Sequence, residues 1–504
     1  MLENLIAAFG QVFELHVLFV IFLSSVYGLF VGAIPGLSAT MAVALLVPVT
    51  FFMSPVPAIA SMVTATAMAI FSGDVPGCLL RIPGTPASAA YTDEAYRLTR
   101  MGKTELALGG GLICSCIGGL FGTTVLIAAA PALAELALQF SSYEYFWLVL
   151  LGLTCAIFIA SADPLKGFVS LFLGLMITCV GMGNPTGYPR FTFGSDAMLS
   201  GLSLVPVMVG MFAVSEVLRY AVNVAKDSGT FTGSIDKVFS GTLKLVAKYP
   251  KSVMRGSVLG TVVGALPGAG ADIAAYMSYA VSKKFSKEPE KFGTGHPEGI
   301  VEASSANNAS LAGAWIPALV FGIPGDSITA IVIGVLYMKD LNPGPMIFIN
   351  NPVSMYSIFI VFILANLLMV PLGYALIKLS KHILRTPRNI LMPLILLFCI
   401  VGSYAINNSI FDVGVMLFFG VLAYLMEENG FPIAPTILGV VLGNMLEENY
   451  ISSVIKSDGN ILAFFDRPIA GTLGVLTILV WVAPPILRRI RKNRAPGAYA
   501  NANE

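Results

Sequence analysis

The chain has 504 residues, of which 56% are hydrophobic and only 11% are charged, and its mean hydropathy is +0.83. Soluble domains carry about 25% charged residues, so this composition excludes a water-soluble globular protein and indicates that lipid surrounds much of the chain. The formal net charge of +1 excludes a nucleic-acid-binding protein, because that partner requires a concentrated basic face.

Apolar stretches along the chain predict an all-α integral membrane protein. A helix that crosses the bilayer requires about 20 apolar residues. Stretches of this kind lie near 11–33, 56–72, 105–130, 143–161, 165–182, 198–222, 253–281, 351–380, 389–406, 410–426, 431–447 and 468–488. Four further pieces are too short, or too interrupted by Pro and Gly, to cross alone: 36–52, 74–92, 299–320 and 324–339. We therefore expect about 11–12 transmembrane helices together with re-entrant hairpins or broken helices, whose irregular backbone faces protein or a wet cavity.

Three short motifs occur twice, in the same order. They are GAIPG at 32–36 and GALPG at 264–268, IPG at 82–84 and 323–325, and VPVMVG at 205–210 and APTILG at 434–439. Because the three pairs have nearly the same offset, they predict an internal repeat. The helix near 389 follows Arg385 and Arg388, whereas its counterpart near 143 follows only Ser141 and Ser142. Positive charge favours the cytoplasmic side, so we predict two repeats of inverted topology, as in many secondary transporters.

The repeat and the charge distribution together predict how the chain is organised. The predicted units are a first membrane repeat at 1–222, a cytoplasmic linker at 223–252, a second membrane repeat at 253–467, and a last transmembrane helix with a basic tail at 468–504. The Lys and Arg residues between 488 and 494 predict that the C-terminus lies on the cytoplasmic side of a bacterial inner membrane.

Each predicted repeat contains two Pro-Gly breaks inside apolar sequence. Proline removes a backbone donor and glycine permits a reversal, so a helix that restarts after the break exposes free N–H groups and the positive end of its dipole. Carboxylates bind well at such helix starts, which meet near the midplane in transporters. The predicted substrate-binding residues at the breaks are Pro35, Gly36, Ser38, Thr40, Gly84, Thr85, Gly268, Gly270, Gly325 and Ser327. The alternative is that the breaks are only helix kinks packed closely through glycine.

A weakly polar segment lies between the two breaks of the second repeat. Its Ser305, Asn307 and Asn308 complete the predicted substrate-binding set, because an amide can donate hydrogen bonds to a carboxylate and coordinate Na⁺ through its oxygen. The alternative is that the two asparagines cap a hairpin.

Two acidic residues lie at apparent membrane depth, where an ionisable side chain is costly. Asp272 and Asp326, together with Asn308, are the predicted ligands of a coupling ion. Na⁺ is favoured over H⁺, since hard oxygen ligands suit Na⁺, although a carboxyl with a raised pKa would suit H⁺. Each carboxylate has the alternative role of capping its helix. Asp74 and Asp93 flank the first-half break and are equally compatible with a position in water.

The other polar residues give no sign of catalysis. The three histidines are scattered, and no P-loop, G-x-S-x-G or H-E-x-x-H motif is present. We therefore predict that the chain is not an enzyme, that it has no cofactor, and that it binds no metal beyond Na⁺ as coupling ion. The pairs at 427–428 and 447–448, each Glu-Glu, are predicted to mark solvated helix ends. The rival functions are a passive organic-anion channel and an intramembrane enzyme.

Three segments resemble the large membrane subunit of tripartite tricarboxylate transporters, the TctA type. They are 32–48 (GAIPGLSATMAVALLVP), 264–284 (GALPGAGADIAAYMSYAVSKK), and SANN at 305–308 followed by GIPG at 322–325. In these segments the family's motifs cover Pro35, Gly36, Ser38, Pro267, Gly268, Gly270, Asp272, Asn307 and Asn308.

The resemblance implies a permease that works with a small four-span membrane subunit and a periplasmic solute-binding protein. Its substrates would be citrate, other tricarboxylates or other small carboxylates, taken up by cation-driven symport, and we expect alternating access around a midplane site. Ala303 and Ser304 stand where the resemblance implies Pro-Glu, so an expected carboxylate is missing there, which bears on coupling and on substrate identity.

Overall fold

Helices form nearly all the regular structure of the chain. The computed structural model describes residues 2–34, 37–160, 163–183, 187–222, 238–383 and 388–494. Within those ranges the β pairing is limited to one isolated bridge, between Gly181 and Arg190. The predicted all-α class is therefore confirmed. Pro35, Gly36, Arg385 and residues 223–237 of the predicted linker lie outside the described residues, as does the end of the basic tail.

The first half of the chain contains twelve described α-helices. They are α1 (Leu2–Val12), α2 (Leu15–Ala33), α3 (Ala39–Phe51), α4 (Pro55–Ser72), α5 (Asp74–Leu80), α6 (Pro86–Ala89), α7 (Thr92–Arg100), α8 (Thr104–Ala137), α9 (Ser142–Ala160), α10 (Pro164–Thr178), α11 (Leu204–Val209) and α12 (Ser215–Val222). A 3-10 turn, Asp196–Met198, precedes α11, and a π-helical turn, Gly210–Val214, joins α11 to α12.

The described helices of the second half continue the numbering. They are α13 (Thr242–Lys248), α14 (Pro250–Gly264), α15 (Gly270–Phe285), α16 (Pro297–Phe321), α17 (Ser327–Met338), α18 (Ile347–Asn350), α19 (Pro352–Ile383), α20 (Arg388–Asn407), α21 (Ile410–Glu428), α22 (Ile433–Lys456) and α23 (Pro468–Arg494). Two 3-10 turns, Pro289–Lys291 and Ile461–Phe464, lie between them. Proline opens α4, α6, α14 and α16 among others, because its fixed φ suits the first helical turn, where its missing N–H has no partner to lose.

Many of these helices are long and apolar enough to cross a membrane. Six described segments meet both conditions: Leu15–Ala33, Pro55–Leu80, Thr104–Ala137, Leu204–Val222, Pro352–Ser380 and Ile410–Glu428. Six shorter apolar helices accompany them: Ala39–Phe51, Ser142–Ile157, Pro164–Thr178, Ser327–Met338, Met392–Asn407 and Pro468–Val482. The chain is therefore a multi-pass membrane protein. On α2, Leu15 is 85% exposed and Phe19 60% exposed, as expected of a helix that faces lipid.

Two predicted segments differ from the structure. The span predicted at 253–281 is divided into α14 and α15, because the Pro-Gly sequence interrupts the helix between Gly264 and Gly270. The piece at 299–320, predicted to be too short or too broken to cross, belongs instead to the unbroken α16. Its 25 residues correspond to roughly 37 Å at the rise of an α-helix, and Pro317 lies inside it because neighbouring helices can satisfy the freed backbone group.

The two halves pack in the same way around their breaks. In the first half, α2 contacts α4 so closely that a methyl group on Gly32 would collide with the backbone of Ala69. In the second half, α14 contacts α16 equally closely, with Gly264 against the backbone of Ser310. Small residues allow backbones to approach in this way. The close packing of breaks through glycine is thus present in both halves, while the inverted orientation and the domain boundaries stay predictions.

Helix α8 of the first half fixes the position of α16 in the second half. A methyl group on Gly118 would collide with the carbonyl of Ser305, and one on Gly122 would lie 2.6 Å from the carbonyl oxygen of Ala309. The Ser115 hydroxyl also donates to the carbonyl oxygen of Ser304 at 3.3 Å. The polar segment of α16 is therefore buried against α8 of the first half.

Candidate functional site

The first break of the first half places a hydroxyl at the start of α3. Ser38 is the N-cap residue, and its side chain accepts a hydrogen bond from the backbone N–H of Met41 at 3.1 Å. Such a cap satisfies one of the free donors of the helix start. Thr40 follows in the first turn of the same helix.

The second break of each half is closed by the same reciprocal cap. Thr85 accepts from the backbone N–H of Ser88, and the Ser88 hydroxyl accepts from the backbone N–H of Thr85. In the second half, the Asp326 side chain accepts from the backbone N–H of Thr329 at 2.8 Å, and the Thr329 hydroxyl accepts from the backbone N–H of Asp326 at 2.9 Å. Both arrangements are capping boxes. Asp326 is thus the N-cap of α17, the alternative role considered for this carboxylate.

The glycine-rich sequence before α15 brings two breaks of the second half together. The backbone N–H of Gly268 donates to the carbonyl oxygen of Gly325 at 2.8 Å. Gly268 has φ +82° and a methyl group there would lie 2.5 Å from the Cα of Ala156. Only glycine combines that left-handed backbone with so close a neighbour. At Gly270, φ is +59° and a methyl group would lie 2.7 Å from the Cβ of Asp326.

Asp272 points from the second half toward the first. It is the third residue of α15, whose N-cap position is occupied by Ala269, so it is not an N-cap. Helix α15 packs against α6 of the first half, and Asp272 lines the same cavity as Ala87 and Asp326. Two carboxylates that line one cavity can share a cation or a proton.

The starts of α3, α6, α15 and α17 line one cavity of about 510 Å³. This volume falls within the range typical of small-molecule sites, roughly 300–1,000 Å³. The predicted residues that line it are Ser38, Thr40, Thr85, Gly268, Gly270, Asp272, Asn307, Asp326 and Ser327. The broken helices of both halves therefore converge on the same space.

Comparison with known proteins identifies the family of the chain. A family model described as the tripartite tricarboxylate transporter TctA family matches residues 18–438, a range that includes all four breaks. The chain belongs to this family. Membership makes it a membrane transport protein of a system that also contains partner subunits and a solute-binding protein.

Two proteins of Agrobacterium vitis are similar to this TctA-family chain. The "Uncharacterized 52.8 kDa protein in TAR-I ttuC' 3'region" is 34% identical over 470 residues, which cover 92% of this chain and 93% of that protein. The "Uncharacterized protein in TAR-II ttuC' 3'region" is 36% identical over 230 residues, which cover 45% of this chain and 95% of that protein. No solved structure matches the chain.

Four predicted binding residues of this TctA-family chain lie away from the cavity wall. Gly84 and Gly325 pack against backbone, where a methyl group would lie 2.6 Å from the carbonyl oxygen of Gly32 and 2.5 Å from that of Gly264. These two glycines therefore allow helices to pack closely. This is the alternative to substrate binding that the sequence analysis considered for the breaks.

The other two such residues lie on α16. The Ser305 hydroxyl donates to the carbonyl oxygen of Val301 at 2.8 Å, and the Asn308 amide donates to that of Ala67 at 3.2 Å. Consecutive helical residues point about 100° apart, so Asn307 faces the cavity and Asn308 does not. Both asparagines lie inside α16, which shows that the hairpin-cap alternative is wrong.

The cavity also has charged residues that the sequence analysis missed. Arg219 of α12 lines it together with Glu216 and Glu427. Its guanidinium donates to Glu216 at 2.6 Å and forms an ion pair with Glu427. Glu427 was predicted to mark a solvated helix end, and it is only 34% exposed. The available signal was the basic residue inside the predicted span 198–222, since an ionisable group at membrane depth indicates function.

The acids that flank the first-half break have different environments. Asp93 is 63% exposed and pairs with Arg81 at 2.7 Å, so a position in water fits it. Asp74 is buried, and its carboxylate accepts a hydrogen bond from the Tyr91 hydroxyl at 2.6 Å. Among the residues that the structure describes, no group of three or more His, Cys, Asp and Glu side chains is arranged to hold a metal ion.

Proposed function

We propose that this TctA-family chain is the permease subunit of a secondary transporter that depends on a binding protein. It takes up tricarboxylates or other small carboxylates across the bacterial inner membrane, driven by a cation gradient, with Na⁺ favoured over H⁺. The observation that carries the proposal is the convergence of broken helices from both halves on one cavity. The family supports the transport of tricarboxylates.

The start of α15 is the best position for a substrate carboxylate. Its N-cap residue, Ala269, makes no side-chain cap hydrogen bond, whereas Ser38 and Asp326 cap α3 and α17. The free N–H groups of α15 and the positive end of its dipole are therefore available to an anion at the cavity wall. Gly268 and Gly270 line the cavity at this helix start, and neither carries a side chain that would cover it.

Other groups at the wall suit the rest of a small polar acid. The hydroxyls of Thr40 and Ser327 and the amide of Asn307 line the same cavity, and each can donate a hydrogen bond to a carboxylate. The positive charge of Arg219 is already compensated by Glu216 and Glu427. We therefore assign Arg219 a secondary part in attracting the anion and the α15 start the main part.

Asp272 and Asp326 are the proposed ligands of the coupling ion in this cavity. Both residues line the cavity, at the starts of α15 and α17, and carboxylate oxygens suit a hard cation such as Na⁺. Asn308, placed on another face of α16, is withdrawn from this set. The proposed partners are a small four-span membrane subunit and a periplasmic solute-binding protein, with the C-terminus of this chain in the cytoplasm.

Exchange assays in proteoliposomes test the proposal. The complete system, reconstituted with its binding protein, is loaded with unlabelled citrate or another small carboxylate and given labelled substrate outside. A carrier accelerates exchange over net flux, whereas a passive anion channel does not, and an intramembrane enzyme converts the substrate. Exchange that depends on a Na⁺ gradient supports the proposal, while no movement of any di- or tricarboxylate tested contradicts it.

The variant Gly270→Leu tests the position of the site in the same exchange assay. The added side chain would enter the space beside Asp326 at the start of α15, so we expect exchange to be lost. Gly102→Leu is the matched control, since Gly102 also has positive φ (+73°) but no atom within 4 Å of an added Cβ. Equal exchange in the two variants would contradict a site at the α15 start.

A further inference from the structure

A second polar centre lies behind the cavity wall, around Asp74. Asp74 begins α5 directly after Gly73, which joins α4 to α5, and its side chain is 7% exposed. Among the described residues no Lys, Arg or His forms an ion pair with it. Its hydrogen-bond partner is the Tyr91 hydroxyl at 2.6 Å. An isolated buried carboxylate is costly unless a positive charge or a proton compensates it.

One oxygen atom without a hydrogen-bond partner lies beside this carboxylate. The Ser304 hydroxyl is fully buried and completes no hydrogen bond. A methyl group on Gly111 would lie 3.4 Å from Asp74 Oδ2 and 3.5 Å from Ser304 Oγ, so the two oxygens border the same small space that Gly111 leaves open. Buried polar atoms are normally paired, and this space is therefore suited to a ligand.

The chemistry of these atoms favours a monovalent cation over a proton. The available atoms, Asp74 Oδ2, Ser304 Oγ and the lone pairs of the Tyr91 hydroxyl, are all hard oxygens, and together they carry a single negative charge. A proton on Asp74 supplies one donor and can satisfy only one further acceptor. A cation such as Na⁺ contacts several oxygens at once and compensates the carboxylate charge.

We propose that Asp74, Tyr91 and Ser304 form an internal Na⁺ site, separate from Asp272 and Asp326 in the cavity wall. Asn307 links this site to the cavity. It lines the cavity, and its amide donates to the Tyr91 hydroxyl at 3.4 Å. An ion on Asp74 therefore fixes Tyr91, which orients Asn307 toward a carboxylate in the cavity.

By reciprocity, substrate in the cavity strengthens ion binding at Asp74. This coupling rests on the proposed function, whereas binding of the ion does not.

Equilibrium binding of radiolabelled Na⁺ tests the site without substrate or partner subunits. The full-length chain is purified in detergent and titrated at constant ionic strength with choline as the replacement cation. Neutral ligands and supporting groups contribute about 10–100-fold to metal affinity. We expect Asp74→Asn to weaken one Na⁺ site by at least about 100-fold and Ser304→Ala to weaken it by about tenfold.

Asp93→Asn is the matched control. It makes the same chemical change at a neighbouring acid that is exposed and paired with Arg81, and we expect an unchanged isotherm. The proposal is overturned if Asp74→Asn binds Na⁺ like the unmodified chain, or if Asp272→Asn alone abolishes all binding. If Asp74→Asn fails to fold, the Na⁺-binding isotherm of Ser304→Ala tests the site instead. An Na⁺ affinity equal to that of the unmodified chain would then overturn the proposal.

The outcome is distinguishable from failure of the proposed function. Na⁺ binding that depends on Asp74, in a chain that moves no carboxylate, leaves this site intact and removes the transport proposal. If the chain transports carboxylates but its Na⁺ binding does not depend on Asp74, the transport proposal stands and this site is removed.

Discussion

The second break of each half has the same backbone arrangement but a different charge. Thr85 opens α6 and Asp326 opens α17, each in a reciprocal cap with the residue three positions later. The helix that follows has four residues in the first half and twelve in the second. At its second break the first half thus contributes the Thr85 hydroxyl to the cavity, whereas the second half contributes the Asp326 carboxylate and a longer helix. The two halves therefore share the backbone geometry of the cap, although one capping side chain is neutral and the other is charged.

The largest expected effect tests the close glycine packing that the breaks of both halves share. Gly84→Ala and Gly325→Ala each force a methyl group against a carbonyl oxygen, at 2.6 Å and 2.5 Å. We expect both to lower the free energy of unfolding by about 1–3 kcal/mol, and by similar amounts. Thermal unfolding in detergent measures this, with Gly183→Ala as control because no atom lies within 4 Å of an added Cβ there. A neutral result for one variant alone would show that the two breaks are packed differently.

The next effect tests the charge that, among the breaks, only those of the second half carry. Asp272→Asn removes a carboxylate from the cavity wall while keeping its shape. If Asp272 binds the coupling ion, the Na⁺ concentration that half-saturates uptake should rise by about tenfold or more. Asp93 is exposed and is not part of the cavity lining, so Asp93→Asn should leave the Na⁺ dependence of uptake unchanged. The same Na⁺ dependence in Asp272→Asn and the unmodified chain removes Asp272 from the coupling site.

Loss of the caps compares the two breaks directly. Removing an N-cap side chain costs about 0.5–2 kcal/mol. We expect the loss of stability in Asp326→Ala to be near the upper end of this range, since Asp326 caps a twelve-residue helix. The loss in Thr85→Ala should be near the lower end, since α6 has only four residues. Chemical or thermal unfolding measures both. Asp326→Asn keeps an N-cap oxygen, so a stable variant with altered Na⁺ dependence would separate the charge of Asp326 from its cap.

The smallest expected effect concerns the arginine at the cavity. Arg219→Lys keeps the positive charge but loses the fork that engages both Glu216 and Glu427. Because the pairs are partly exposed, we expect the KM for carboxylate uptake to change by less than about fivefold. Arg190→Lys is the control, since Arg190 pairs bidentately with Glu447 outside the cavity lining. A much larger effect at Arg219 would make this residue, and not the start of α15, the main anion site.

The sequence by itself determined the class of the chain and the positions of its breaks. Low charge and long apolar stretches require lipid as solvent. The Pro-Gly pairs that precede α15 and α17 interrupt the helix there because their effect on the backbone is local. The twofold occurrence of the motifs therefore indicated which helices would restart. The start of α15 near Gly270 and that of α17 near Ser327 follow from these local rules.

Only the tertiary structure decided which side chains face the cavity. Asn307 and Asn308 are adjacent in sequence, and the rotation of α16 against α8 and α4 sends one to the cavity and the other to the carbonyl of Ala67. The pairing of Arg219 with Glu427 joins residues 208 positions apart. The burial of Asp74 depends likewise on Tyr91, which precedes α7, and on Ser304 of α16. Contacts between distant segments arise from packing, which a local sequence pattern does not encode.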